Sequence, residues 1–204
     1  LGPVALNQAP AFFRQLDPDF EAVRDKTSDC TPNVISFATR DGEYDAYLAR
    51  LRASCEQAGM AFDGETIPAT RKENAFLFKP TFIKFKLLTL GRPVIWMDCD
   101  AIMQLAITLP EGEWDVGTIK NNMESRHNDI LSLCVAFRPT HAALRFIETW
   151  EHLCSGDMIS HVYDHGRLSW TRMIQAGQYT ETDMTEAVSG KLIRDYGKDK
   201  ESVI

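Results

Sequence analysis

Two carboxylates, Asp98 and Asp100, close the apolar run Pro93-Val94-Ile95-Trp96-Met97, with Cys99 between them. In extended geometry that spacing sends both acidic side chains to one face and Cys99 to the other. Two like charges held close together demand a cation or a shared proton. Hard oxygen ligands favour Mg or Mn, ions that bridge carboxylates to substrate phosphates. Asp98 and Asp100 are therefore expected to hold a divalent metal, and a diphosphate-bearing substrate would complete its coordination. Asp100 counts with the catalytic groups because a metal it holds would act as a Lewis acid on that diphosphate. The bland alternative is that one Asp caps the following turn and the other is a solvated charge.

Further candidates surround this pair. Lys79, Lys84 and Lys86 precede the acidic run, and a cation facing a diphosphate would offset the charge that develops on a departing nucleotide. Lys79 is the favoured one, since it adjoins Pro80 at an expected helix start, where backbone N–H groups also attract phosphate. Arg71 in the preceding polar stretch is a second candidate cation. Asp164 is the candidate base for an acceptor hydroxyl, with a helix N-cap before Leu168-Ser169-Trp170 as its alternative. Asp115 and the pair Asn121-Asn122 are placed at the sheet end where substrate would bind, though turn chemistry explains Asn pairs equally well. His161 and His165 stand four apart, a zinc-compatible spacing on a helix, but Asp164-His165-Gly166 reads as a turn. Lys191, Arg194, Lys198 and Lys200 form a basic tail that could close over a bound diphosphate or be ordinary charged surface.

The elements that must position these groups alternate between strand and helix. Asn33 to Thr39 is apolar and β-branched, predicting a buried strand broken by Arg40-Asp41-Gly42. Tyr44, Tyr47, Leu48, Leu51 and Cys55 recur at helical spacing before Gly59, so residues 43 to 58 should be an amphipathic helix. A second strand is expected in Met60 to Ile67. Thr66 to Phe78 is polar and reads as a loop, and the next helix opens near Pro80 and stops at Gly91. Residues 93 to 97 form a strand covered on both faces, ending in the acidic pair. Trp114 to Ile119 and Leu131 to Phe137 are further strands, and Thr140 caps a helix through Leu144, Ile147, Trp150 and Leu153. Such alternation predicts an α/β architecture, a mostly parallel central sheet with helices on both faces. Ligands of such sheets bind beyond the carboxyl ends of the strands, where Asp98 and Asp100 sit.

The chain has 204 residues, 44% of them hydrophobic, which suits one domain spanning 1–204 with an irregular arm at 1–32 and a tail at 177–204. A net charge of -7 argues against a general nucleic-acid binder. Five widely spaced cysteines form no CxxC pair and indicate neither a zinc knuckle nor a disulfide framework, so a reducing, cytoplasmic setting is expected. No stretch approaches the about 18 apolar residues of a membrane span. The chain starts at Leu1 without an initiating Met, which leaves room for a trimmed targeting segment.

Lys79-Pro80-Thr81-Phe82-Ile83, Leu87-Leu88-Thr89-Leu90-Gly91 and Val94-Ile95-Trp96-Met97-Asp98-Cys99-Asp100-Ala101 together resemble the centre of GT-A glycosyltransferases. The resemblance implies a single-domain, Rossmann-like GT-A fold and sugar transfer from a nucleotide-diphosphate donor to a glycan, lipid or protein acceptor. It implies Mn or Mg on Asp98 and Asp100 at the donor diphosphate, with Thr39 and Arg40 in the first nucleotide-contacting loop. It extends loosely to Val135-Ala136-Phe137-Arg138-Pro139-Thr140, and Asp164-His165 stands where relatives often have Asp-Gln. Relatives commonly show Asn-Ser-Gly where this chain has Leu131-Ser132-Leu133, a departure at the sugar-facing pocket. Two alternatives remain open at this level: a haloacid-dehalogenase-like Mg-dependent phosphatase using Asp98 as nucleophile, and a non-catalytic nucleotide-sugar-binding relative.

Overall fold

In the computed structural model, residues 31–40, 42–68, 72–120, 130–155, 164–195 and 200–202 are described. Strand β1 (Asn33–Thr39) lies at the heart of a six-stranded sheet ordered β2-β1-β3-β6-β5-β7. The other strands of the sheet are β2 (Ala61–Ile67), β3 (Val94–Met97), β6 (Ile130–Phe137), β5 (Val116–Lys120) and β7 (Glu181–Asp183). β2 and β3 pair parallel to β1, and β7 pairs parallel to β5, while β6 runs antiparallel to both β3 and β5. Five strands therefore share one direction, and the start of β6 lies at the end where the others finish. The expected mostly parallel α/β sheet is what the chain forms.

Alternation at period two supplies a face for each layer of helix. Ile35, Phe37, Val94, Trp96, Val135 and Phe137 join one buried cluster, with Val34, Ile95, Met97, Cys134 and Ala136 in the other. Helix α1 (Glu43–Gln57) covers the second face with Leu51 and Cys55. The first face takes α2 (Lys72–Leu90), α3 (His141–Ser155) and α4 (Asp164–Ile174) through Phe82, Phe146, Trp150 and Leu168. The chain thus leaves β1 on one face to reach β2, then crosses the other face through α2 to return beside β1 as β3. That reversal of winding is where open α/β sheets form a ligand crevice.

Several expected boundaries hold and others move. The helix at 43 to 58 is α1, and Gly59 follows it at φ 75. Gly91 adopts φ 62 and bonds its N–H to Leu87 O, a left-handed stop that favours glycine. Thr140 Oγ1 accepts from Ala143 N at 3.1 Å and so caps α3. By contrast, α2 starts at Lys72 rather than at Pro80, so much of the expected loop from Thr66 to Phe78 is helix. Pro80 costs this helix one backbone hydrogen bond. Packing outweighs that loss: Phe78 and Phe82 set their rings 5.5 and 5.2 Å from Phe37. Asp164-His165-Gly166 is the first turn of α4, not a free turn.

A second sheet is ordered β4-β8-β9, from β4 (Ala101–Met103), β8 (Leu192–Asp195) and β9 (Lys200–Ser202), while α5 (Thr185–Val188) bridges β7 to β8. Arg194 pairs opposite Ala101 and Leu192 opposite Met103. Leu192 is buried in the second cluster. The tail at this point is therefore a docked strand beside the acidic turn. No helix among the described residues is long and apolar enough to cross a membrane.

Candidate functional site

The site forms where β1 and β3 end and β6 begins. Ser36 Oγ donates to Met97 O at 2.7 Å and ties β1 to β3 just before the acidic residues. Asp98 N–H bonds Leu133 O at 2.9 Å, continuing the ladder with β6, and Ala101 N–H bonds Asp98 O at 3.0 Å. Asp98 to Ala101 is consequently a turn. The expectation that strand alternation aligns Asp98 with Asp100 is corrected: the turn, not a pleat, sets their relation. Asp100 Oδ1 is buried, while the Asp98 side chain is 17% exposed.

Beneath the turn sits Lys79, supplied by α2 just ahead of Pro80 and only 2% exposed. Its ammonium reaches Asp98 Oδ1 at 2.8 Å, Asp164 Oδ2 at 2.5 Å, and both Ser132 O and Ser132 Oγ at 3.3 Å. Asp98 Oδ1 also accepts from Trp96 Nε1 at 3.0 Å, and Lys79 Nζ lies 5.2 Å above the Trp96 ring. Burial opposes the charged form of Lys79, but the Asp164 and Asp98 carboxylates more than reverse this and hold it above the ordinary lysine range. The expectation that Lys79 faces a diphosphate is corrected, because its charge is turned inward and already matched.

Asp164, at the start of α4, is 3% exposed. Burial alone would raise its pKa; the Lys79 ammonium, the neighbouring His165, and hydrogen bonds from Lys79 and Ser132 bring it down to about 2. A base needs the opposite, an accessible carboxylate with raised proton affinity. Asp164 is an ion-paired, buried carboxylate at the head of α4. Cys99, between the two acids, is held up at about 12 by burial and by Asp98 and Asp100, so it is no thiolate nucleophile.

Thr39 ends β1 as a buried residue, and Arg40 follows it with its N–H on Ile67 O at 2.9 Å and an exposed side chain. Both therefore stand at the same sheet end as Asp98. Lys86 pairs instead with Asp63 and Glu65 on β2, and Lys84 with Glu148 and Glu151 on α3. Asp115 precedes β5 and so lies at the far end of the sheet. There it accepts from Thr140 Oγ1 at 2.6 Å and Thr180 N at 2.7 Å, stapling loops together and facing no substrate. Arg71, Asn121, Asn122, His161 and Lys198 lie outside the described residues.

Sequence reasoning missed Ser132, fully buried, whose Oγ is 2.6 Å from Asp164 Oδ2 and 2.7 Å from His165 Nδ1. The one available signal was a polar residue inside the apolar run of β6. The carboxylates expected to hold a divalent cation, Asp98 and Asp100, flank Cys99 in this turn. No cluster of three or more His, Cys, Asp or Glu suited to a metal occurs among the described residues. Two carboxylates fit Mg or Mn only if phosphate oxygens and water fill the remaining positions, which is how Mg is commonly bound.

The chain is similar to a glycosyltransferase involved in the glycosylation of the major capsid of PBCV-1. The TM-score is 0.56 at 12% identity, over 82% of this chain and 95% of that one. The fold is GT-A-like. GlyE of Streptococcus pneumoniae TIGR4 is similar at a TM-score of 0.49 and 10% identity, covering 76% of this chain and 45% of that one. The galactosyltransferase LgtC, solved with donor and acceptor sugar analogs, gives 0.47 at 10% identity, over 74% of this chain and 72% of LgtC. No family model and no curated protein matches the chain. The acidic turn follows β3 at the carboxyl end of the parallel strands, the end at which open α/β sheets generally bind ligands.

Proposed function

We propose that this chain is a nucleotide-sugar-dependent glycosyltransferase, moving a sugar from a nucleoside-diphosphate donor to an acceptor hydroxyl on a glycan, lipid or protein. The observation that carries it is the position of Asp98-Cys99-Asp100: a turn at the carboxyl end of β3, beside the end of β1, at the reversal of winding. Asp98 and Asp100 are the carboxylates for Mn or Mg, which when bound supplies Lewis-acid stabilisation of the leaving diphosphate. Thr39 and Arg40 border the nucleotide. Arg40 is the better cation for the diphosphate, being exposed and in no ion pair among the described residues, whereas Lys79 is committed to two carboxylates. Arg71 is proposed as a second nucleotide contact. The phosphatase alternative places its acidic motif on a first strand, while here it follows the third of the described strands.

The test is release of nucleoside diphosphate from a panel of nucleotide sugars with Mn, Mg or EDTA. Metal-dependent release that disappears in both Asp98→Asn and Asp100→Asn supports the proposal. Phosphate release from a generic phosphoester, with no donor turnover, would move the assignment to the phosphatase.

A further inference from the structure

Lys79, Asp98, Ser132 and Asp164 come from α2, the end of β3, the start of β6 and the start of α4, so one buried ammonium joins four elements. Ser132 holds the assembly from the third side. Its Oγ bonds Asp164 Oδ2 at 2.6 Å, and its backbone N–H donates to His165 Nδ1 at 3.1 Å. Ser132 Oγ also lies 2.7 Å from His165 Nδ1, so the serine touches both residues that open α4.

We propose that Asp164 is a positioning residue: with Ser132 it anchors the Lys79 ammonium, and Lys79 fixes the Asp98 carboxylate for the cation held by Asp98 and Asp100. Charge supports this division of labour. Asp98, Asp100 and Asp164 with Lys79 carry a formal charge of -2, which one divalent cation neutralises. Without Lys79, the Asp98 and Asp164 carboxylates would meet in a largely buried corner and repel one another. A fixed partner behind a ligating carboxylate also holds its orientation, and outer partners of this kind typically change metal affinity about 10- to 100-fold when removed. The anchoring stands on the geometry alone, while the identity of the cation rests on the glycosyltransferase proposal.

Trp96 provides a built-in reporter, because its Nε1–H donates to the same Asp98 oxygen that Lys79 holds. The indole N–H resonances of the full chain are compared by NMR in wild type, Asp164→Asn and Ser132→Ala, with Trp96→Phe assigning the signal. Mn binding in the presence of a nucleoside diphosphate is measured on the same proteins by the electron-spin signal of free Mn. Both variants should move the Trp96 resonance, leave that of distant Trp114 in place, and weaken Mn binding by about 10- to 100-fold. Ser132→Ala, which keeps both charges, covers the case in which Asp164→Asn folds poorly. An unmoved Trp96 signal and unchanged Mn affinity, with kcat alone collapsed in Asp164→Asn, would overturn the proposal in favour of a base. If wild type binds no Mn with any nucleoside diphosphate, the transferase assignment fails, and the Trp96 resonance still decides the anchor.

Discussion

Replacing Asp164 by Asn should change how stability depends on acidity. The Asp164 carboxyl titrates near about 2 in the folded chain, against 3.8 for an unperturbed Asp. A carboxyl lowered on folding stabilises the native state above its unfolded pKa and loses that stabilisation as pH falls through its folded value. At ~1.4 kcal/mol for each tenfold change in proton affinity, the separation is worth ~2.5 kcal/mol, all of it present at pH 7. About 1.5 kcal/mol of this should be gone by pH 2.5. Because Asp164 is 3% exposed, solvent screening takes little from the figure. Urea unfolding of wild type and Asp164→Asn, followed from pH 7 to pH 2.5, isolates the term, since every other carboxylate is common to both. The variant should be less stable at neutral pH and the gap should narrow between about pH 4 and 2.5. Curves that stay parallel through that window would refute the claim that Lys79 holds Asp164 ionised.

Asp98→Asn should lower the melting temperature more than Asp100→Asn, because Asp98 takes the bonds from Lys79 and Trp96; thermal melts of the two variants check this. Gly117→Ala should cost ~1–3 kcal/mol by urea titration, because the added methyl would collide with Met184 Sδ and meet Ala136 Cβ at 3.2 Å in a buried position. Phe82→Ala should cost ~3–5 kcal/mol, since the ring is fully buried and packs edge-on against both Phe37 and Trp96.

Elements with a strong local signature were legible in the chain. Val34 to Ala38, apolar but for Ser36, and Val94 to Met97, apolar throughout, lie in strands covered on both faces, and α1 and α3 show their periodicity and stops plainly. The start of α2 was not legible. Its first turn is polar, and Pro80 mimics a helix start, whereas the decisive contacts, Phe78 and Phe82 on Phe37, come from a strand some forty residues earlier. β4, β7, β8 and β9 have three or four residues each, too few for a period to show. At the site, the acidic motif was readable from its place after an apolar strand. The partners of Lys79 were not, for Asp164 lies 85 positions away and only folding brings them together. A lysine beside a helix-start proline reads as a phosphate contact until its burial and two carboxylate partners are seen.

The most direct test of the account is a thermal-shift screen of the protein against UDP, GDP and common nucleotide sugars, each with Mn, Mg or EDTA. Ligand at about 100 times its Kd stabilises the native state by ~2.7 kcal/mol, which for a chain of this size raises the melting temperature by ~5 °C or more. The account predicts such a rise with one class of nucleoside diphosphate, present with Mn or Mg, absent with EDTA, and lost in Asp100→Asn. No rise with any nucleotide under any metal condition would contradict it.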